Sequence, residues 1–365
     1  MKVAIVLPSL EIGGVERVML LLAEGLSNSG VSVDLVVTNA TGPLKNNIPN
    51  GVRLIDLKAS RALRSLPGLI RYLSKRCPDA IISAKDYQNV VALWAAKLSG
   101  VATKVIVTTH IDVAIDWKQK KGLKAKIIPY LVRWCYPWAD HVVAVSQGTK
   151  YSLEKMTGLP SEKIKVIYNP VVTPELLVKA EEPLNHPWFA PEEPPVLLSA
   201  GRLTEQKDYI TLIRAFALVL KERTARLMIL GDGEDRPELQ TLVQELGLEE
   251  AVALPGFVDN PYKFMKRADV FVLSSKWEGL PTVLIEALAC GCPVVSTDCP
   301  SGPAEILEGG RWGPLVPVGD AGSLAKAILQ VLERPLNREL LQKRGLEFTV
   351  ERAVQQYLEL LVGDK

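Results

Sequence analysis

Two carboxylates stand eight residues apart in the stretch Glu278-Gly-Leu-Pro-Thr-Val-Leu-Ile-Glu286, and their surroundings say what they could do. The run Val270–Ser274 before them is apolar and β-branched, the composition of a buried parallel strand. Gly279 and Pro281 break the chain, and Thr282–Ala289 has the spacing and residue types of a helix. A strand, a Gly/Pro loop and a helix start together aim free backbone N–H groups at an anion. Glu278 then lies at the loop mouth and Glu286 about two turns into the helix. Leu284, Ile285, Ala287 and Leu288 around Glu286 are apolar, so its carboxylate is expected in a mainly buried helix, where it needs partners. An acid on a solvated helix face is the plainer alternative.

Arg202 and Lys207 stand five positions apart on the loop Gly201–Asp208, which follows a strand pattern and precedes a helix. Two cations so placed suit a diphosphate leaving group, whose developing charge they would stabilise without a metal. Solvated surface cations near a helix start would look the same. At the first turn, Gly13 and Gly14 precede Glu16 and Arg17 and open a helix, which lets backbone approach a phosphate. A dinucleotide site would require Gly-x-Gly-x-x-Gly and an acid closing the second strand; here that strand ends in Thr38-Asn39, which disfavours a nicotinamide cofactor. His110 ends the strand pattern Val105–Thr109. A histidine at the carboxyl end of such a strand faces a ligand crevice, or is simply a satisfied buried imidazole. Asp112 and Asp116 follow in the same loop and are further candidates for an acceptor site.

The Glu278/Glu286 spacing is the one by which retaining nucleotide-sugar glycosyltransferases of family 4 are recognised, and the chain resembles them along nearly its whole length. The resemblance implies the GT-B fold, with two Rossmann-like domains whose parallel sheets face across a cleft. It implies that Glu286 binds the donor ribose, that Glu278 hydrogen-bonds sugar hydroxyls, and that the N–H groups of Leu280, Thr282 and Val283 face the phosphates. Gly13, Gly14 and Arg17 match the loop that lies against the donor diphosphate. Phe257 and Val258, after Leu254-Pro-Gly256, resemble the segment that holds the nucleobase, and His110 matches a histidine near the transferred sugar. The segment Thr297–Leu307, with Ser301-Gly302-Pro303-Ala-Glu305 after Cys299-Pro, resembles enzymes that add hexoses or hexosamines to polyprenyl-diphosphate glycans. A UDP-linked donor and no cofactor or metal are expected, in keeping with the lack of any Asp-x-Asp.

The elements that must position these residues alternate throughout, strand with helix, as in a parallel sheet covered on both faces. Strand patterns include Val3–Leu7, Val33–Thr38, Ala80–Ser83, Lys104–Thr109, His141–Val145 and Lys165–Tyr168 in the first half. In the second they include Pro195–Ser199, Arg226–Leu230, Val252–Pro255, Val270–Ser274 and Pro293–Thr297. At 365 residues two domains are the expectation. An acceptor-binding, membrane-facing domain is predicted over 1–170, a Pro- and Glu-rich linker over 171–194, a nucleotide-sugar domain over 195–345, and over 346–365 a helix crossing back to the first domain.

Residues 1–170 carry 23 Lys and Arg against 12 Asp and Glu, while 171–365 carry 20 against 29. That asymmetry points one half toward an anionic partner. Two stretches hold much of it. Ala59–Arg76 spaces Leu63, Leu66, Leu69, Ile70 and Leu73 helically among Arg61, Arg64, Arg71, Lys75 and Arg76, and Pro67-Gly68 divides it into two short helices. Trp117–Trp138 sets Lys118, Lys120, Lys121, Lys124, Lys126 and Arg133 beside Trp117, Tyr130, Trp134, Tyr136 and Trp138. Basic residues with interfacial aromatics suit an anionic lipid surface; a solvated basic face with core aromatics is the alternative, and no nucleic-acid motif accompanies the charge. The five cysteines are too few and too scattered for a disulfide framework, and the Cys290-x-Cys292 pair, without a partner pair at zinc-ligand spacing, reads as ordinary buried thiols. No apolar run is long enough to span a bilayer, and the start reads as a strand without a signal peptide, so the expected location is cytoplasmic, on the inner membrane face. The expected acceptor is a lipid-linked saccharide. A nucleotide-sugar epimerase of the same fold, or a nucleotide-sugar-binding module without turnover, are the rival functions.

Overall fold

Val3, Ile5 and Leu7 of β1 (Lys2–Leu7) enter one hydrophobic core, and Ala4 and Val6 enter another. Successive side chains of a strand leave opposite faces, so an uninterrupted apolar strand serves both sides of its sheet. This computed structural model describes residues 1–119 and 123–363. The chain divides into two compact units, residues 1–170 with 350–365, and residues 171–349.

The first unit is built on seven parallel strands: β1, β2 (Ser32–Val37), β3 (Val52–Asp56), β4 (Ala80–Ala84), β5 (Lys104–Thr109), β6 (His141–Ala144) and β7 (Ile164–Val166). Their order is β3-β2-β1-β4-β5-β6-β7. Helices Leu66–Arg76, Asp86–Ser99 and Leu123–Cys135 cover one face. Helices Gly14–Asn28 and Val350–Val362 cover the other, so the C-terminal helix returns to the first unit as the fold class requires. Gly25 permits that return: a Cβ there would lie 2.5 Å from Val354 Cγ2 and 2.9 Å from Val350 Cγ1. Lys104 Nζ then donates to the carbonyls of Leu360 at 3.0 Å and Gly363 at 2.5 Å. Leu360 is in the helix's last turn and Gly363 directly follows it, at the end where carbonyls lack intrahelical partners and a cation is favoured.

The second unit has six parallel strands: β8 (Val196–Ala200), β9 (Arg226–Leu230), β10 (Val252–Gly256), β11 (Val270–Leu273), β12 (Val294–Thr297) and β13 (Leu315–Val316). Their order is β10-β9-β8-β11-β12-β13. Helices Tyr209–Glu222, Arg236–Glu245 and Ala321–Glu333 pack on one face over Leu197, Leu227, Ile229, Val270 and Val272.

Several local expectations are corrected. β3 and β13 were not anticipated; both are edge strands, β3 interrupted by Arg53 and β13 only two residues long. Ala59–Arg76 is not two helices divided at Pro67. A 3-10 turn over Ala62–Ser65 leads into a single helix, Leu66–Arg76, with Pro67 in its first turn. Proline is tolerated there because that N–H has no intrahelical acceptor to lose. Residues 171–194 are not bare linker: Pro174–Glu181 is a helix, capped by the Thr173 side chain and packed on helix Tyr262–Arg267 within the second unit.

Candidate active site

Each sheet reverses its winding once, between β1 and β4 in the first unit and between β8 and β11 in the second. In open parallel sheets ligands bind at the carboxyl ends of the strands that flank such a reversal. The chemistry-bearing residues collect at both places.

In the second unit, the loop after β8 carries Arg202 and Lys207, and the loop after β11 carries Glu278. Lys207 Nζ meets Glu278 Oε1 at 2.5 Å, directly across the reversal. Glu278 is only 6% exposed, and its carboxylate also accepts from Ser275 Oγ at 2.7 Å and Gln206 Nε2 at 3.4 Å. A buried carboxylate needs such partners. Backbone contacts bind the two loops into one frame: Ser274 Oγ donates to Lys207 O at 2.7 Å, Lys276 N to Gln206 O at 2.8 Å, and Gln206 Nε2 to Trp277 O at 2.9 Å. Asp208 takes the left-handed conformation, φ +48, and its carboxylate caps the following helix through Thr211. That turn reverses the chain within one residue of Lys207 and sends the lysine back toward the strand ends. Gly201 fits where little else could: a Cβ would lie 2.9 Å from Tyr209 Oη.

Helix Thr282–Ala289 starts immediately beyond, with Pro281 at its N-cap, whose side chain makes no capping hydrogen bond. The backbone of Leu280, Thr282 and Val283 is therefore grouped at one helix start, where donors and the helix dipole favour an anion. Glu286 lies one turn in and is 8% exposed. Gly302, at φ +93, seats the next loop against this start; a Cβ there would lie 2.6 Å from Pro281 Cδ. Arg202 is exposed on the loop it shares with Lys207. Phe257 and Val258 follow β10, two strands from β8 on the same carboxyl edge, with Phe257 61% exposed. Cys299 lies beside Glu278 and Lys207. Burial, reinforced by the Glu278 charge, pushes its thiol well up, which denies it the thiolate a nucleophile needs.

In the first unit Gly13 is the residue before helix Gly14–Asn28, and Gly14 and Arg17 are exposed in its first turn. Glu16 on that turn is buried and ion-paired with Lys85, which directly follows β4. Lys85 holds φ +74, a backbone state costing of order 1–3 kcal/mol for a side-chain-bearing residue. His110 follows β5, and its Nε2 lies 2.9 Å from Thr108 Oγ1. Burial lowers its pKa to about 4, opposed by a hydrogen bond with Asn169 and assisted by the Lys85 charge. Neighbouring strand ends thus gather Glu16, Lys85 and His110. Sequence reasoning named His110 and the glycines but missed Lys85, Gln206 and Ser275. Lys85 had one visible signal, a cation closing an apolar strand.

Asp112 is a helix cap: Oδ1 accepts from Ala114 N at 3.0 Å, Ile115 N at 3.3 Å and Ser152 Oγ at 2.9 Å. Lys120 and Lys121 lie outside the described residues, as do the side chains of Asp116, Lys118, Lys124 and Lys126. Two expected interfacial aromatics are core residues. Trp117 Nε1 donates to Asp86 Oδ2 at 2.9 Å, and Tyr136 Oη to Asp86 Oδ1 at 3.2 Å. Tyr130 and Trp134 are 75% and 59% exposed, on one face of their helix with exposed Ile127. Trp138 meets Trp94 and Trp134 edge to face with centroids 5.1 Å apart, Trp94 and Trp134 are tilted at 5.8 Å, and Lys97 lies over Trp138. In the segment 59–76, Leu69 and Leu73 are buried and Leu63 is the exposed leucine.

Comparison with known proteins agrees with this geometry. A family model described as Glycosyltransferase Family 4 matches residues 12–174, and one described as Glycosyl transferases group 1 matches 181–348. The chain is 36% identical to the lipopolysaccharide core biosynthesis glycosyltransferase LpsE of Rhizobium meliloti over 363 residues, 96% of both chains. It is 29% identical to a Campylobacter jejuni diphospho-undecaprenol N-acetylgalactosaminyltransferase over 99% of this chain and all of the relative. The structure of Anabaena HepE in complex with UDP and glucose superposes over the whole of both chains with a TM-score of 0.81 at 20% identity, a likeness of fold. With matched modules in each unit and a relative of this identity over nearly its full length, the chain belongs to the family 4 glycosyltransferases.

Proposed function

We propose that the chain transfers a hexose or N-acetylhexosamine from a UDP-linked donor to a polyprenyl-diphosphate-linked saccharide, with retention at the anomeric carbon and without a metal. The observation that carries this is the Lys207–Glu278 pair at the β8/β11 reversal, beside the start of helix Thr282–Ala289. The donor diphosphate would lie on the N–H groups of Leu280, Thr282 and Val283, Glu286 would take the ribose hydroxyls, and Phe257 and Val258 the base. In the first unit, the helix start at Gly13, Gly14 and Arg17 would face a phosphate. The sugar C1–O bond breaks with its electron pair passing to the terminal phosphate oxygen, where Arg202 and Lys207 stabilise the charge. The acceptor hydroxyl attacks the same face, and its proton goes to that departing oxygen. Glu278 would hold sugar hydroxyls in the second unit, and in the first unit His110, as a neutral imidazole, would offer a sugar a hydrogen bond.

The named substrates of the Campylobacter relative support the acceptor class, and the UDP and glucose in the HepE structure support the donor class. An anionic membrane face is the proposed location. Ile127, Tyr130 and Trp134 present an apolar and aromatic surface beside Arg133 and Lys97, the composition favoured at a lipid interface. Among the described residues no helix is long and apolar enough to cross a membrane.

The test is UDP release from a panel of UDP-sugars, with and without membrane extract containing polyprenyl-linked glycans. Acceptor-dependent release from one sugar, lost in Glu286→Ala, supports the transfer. Interconversion of UDP-sugars without release would replace it with epimerisation.

A further inference from the structure

The loop after β12 lies against the start of helix Thr282–Ala289, and a buried cation holds that loop. Gly302 sits so close to Gly279, Leu280 and Pro281 that a Cβ on it would lie 2.6–3.1 Å from their atoms, and Glu278 N donates to Pro300 O at 3.5 Å. Beyond Gly302 the chain makes one short helix, Pro303–Ile306, in which Ile306 N donates to Gly302 O at 2.9 Å. So short a helix does not sustain itself, and the last carbonyls of any helix lack intrahelical donors. Arg344, near the end of helix Arg338–Gly345, supplies them: Nε donates to Ile306 O at 2.9 Å and Nη2 to Glu305 O at 2.8 Å. We propose that Arg344 is a positioning residue for donor binding, which fixes Gly302 against the start of helix Thr282–Ala289 and with it the N–H groups of Leu280, Thr282 and Val283.

Arg344 is 8% exposed, and a guanidinium so buried is costly unless its donors are used. Its Nη1 meets Glu347 Oε2 at 2.5 Å and Glu308 Oε1 at 3.1 Å, and its central carbon lies 5.1 Å from the centre of the Phe348 ring. Phe348 O in turn accepts from Val171 N at 3.2 Å and Val172 N at 3.0 Å, so the anchor itself is fixed. Gly345, the next residue, packs helix Arg338–Gly345 on the far end of the donor helix, where a Cβ would run into the backbone of Ala289. One helix therefore braces Thr282–Ala289 at both ends, at its close through Gly345 and at its start through Arg344 and Gly302. The carboxylates alone would hold either kind of cation. Aiming separate donors at two successive carbonyls of the loop takes a planar fork, which the single ammonium of lysine does not reproduce. The inference rests on the donor reading above, in which the start of helix Thr282–Ala289 meets the diphosphate.

The experiment is a calorimetric titration of UDP into the full chain and its variants, each also melted, with amide hydrogen exchange of the wild type with and without UDP. Arg344→Lys keeps the charge and loses the fork, and at a temperature where it is folded it should bind UDP at least about 5-fold more weakly. Ile328→Ala opens a cavity under helix Ala321–Glu333, outside this path; it should lower the melting temperature and leave UDP affinity within about 2-fold. Arg344→Lys binding UDP as tightly as the wild type overturns the proposal. So does Ile328→Ala losing as much affinity, since the loss would then follow stability and not position. Coupling is reciprocal, so UDP should slow exchange at the Ile306 and Leu307 amides of the wild type as well as at Leu280, Thr282 and Val283. Protection of the last three alone overturns the proposal, even if Arg344→Lys does not fold. UDP that protects none of the five refutes the donor reading and this inference with it. Tight binding by Arg344→Lys refutes the inference alone and leaves the donor reading standing.

Discussion

Lys207 and Glu278 meet at 2.5 Å although 71 residues separate them, because β8 and β11 are adjacent and each delivers one partner from its carboxyl end. Removing Lys207 strands a carboxylate that is almost fully buried. Lys207→Met is expected to destabilise the second unit by about 2–4 kcal/mol and to slow UDP release at least about 100-fold. Adding Glu278→Gln should restore much of the stability but none of the activity. Urea denaturation run beside the release assay separates the two effects.

The cysteines offer a test by chemistry alone. Cys77 is exposed and Cys135, Cys290, Cys292 and Cys299 are buried. Burial pushes the Cys292 thiol up to about 12 and raises the other three buried thiols. Thiolate is the reactive form, so a thiol reagent at about pH 8 should label one cysteine in the folded chain and all five after denaturation. Rapid labelling of two or more in the folded state would contradict the packing around Glu278 and β12.

His110 also makes stability depend on pH. Its folded pKa of about 4 lies below the unfolded value of 6.5, so between these the unfolded chain binds the extra proton and stability rises with pH. The contribution is fully present above about 6.5, is lost as pH falls toward about 4, and amounts to roughly 1–3 kcal/mol. His110→Gln should flatten that limb in a series of melts from pH 4 to 7, and an unchanged limb would assign it to other groups.

Gly25 sets the distance between helices Gly14–Asn28 and Val350–Val362. Gly25→Val is expected to cost about 1–3 kcal/mol by overpacking, and Val354→Ala in the same chain should recover part of it. Lack of any coupling between the two substitutions in a double-mutant cycle would mean that the C-terminal helix does not seat where Gly25 admits it.

The exposed aromatic face gives the membrane proposal its own test. Replacing Ile127 and Tyr130 together by serine should weaken flotation with anionic phosphatidylglycerol vesicles while leaving melting temperature within a few degrees, since these side chains face solvent and, unlike Trp134, are outside the Trp94–Trp134–Trp138 cluster. Trp117→Phe, which alters a core residue, should float like the wild type. Wild-type chain that stays at the bottom of the gradient would refute the membrane contact.

The sequence by itself determined the fold class and the local pieces of the site. Parallel β/α alternation is written in apolar runs that return with a fixed rhythm. The helix start at Thr282 follows from Gly279 and Pro281, and the loop cations follow from their own spacing. These are short-range effects, set by chain conformation and burial within a few residues. Tertiary structure decided what long-range pairing decides. Strand order put Lys207 against Glu278 and Lys85 against Glu16, and no spacing in the chain encodes an ion pair across 69 or 71 positions. It also sorted the aromatics of 117–138, all alike in composition, into the buried Trp117 and Tyr136 and the exposed Tyr130 and Trp134. Helical phase against the sheet and the reach of Asp86 made that choice. The edge strands β3 and β13 stayed hidden for the same reason: too short or too polar to be strands alone, they are strands because a neighbour supplies the hydrogen bonds.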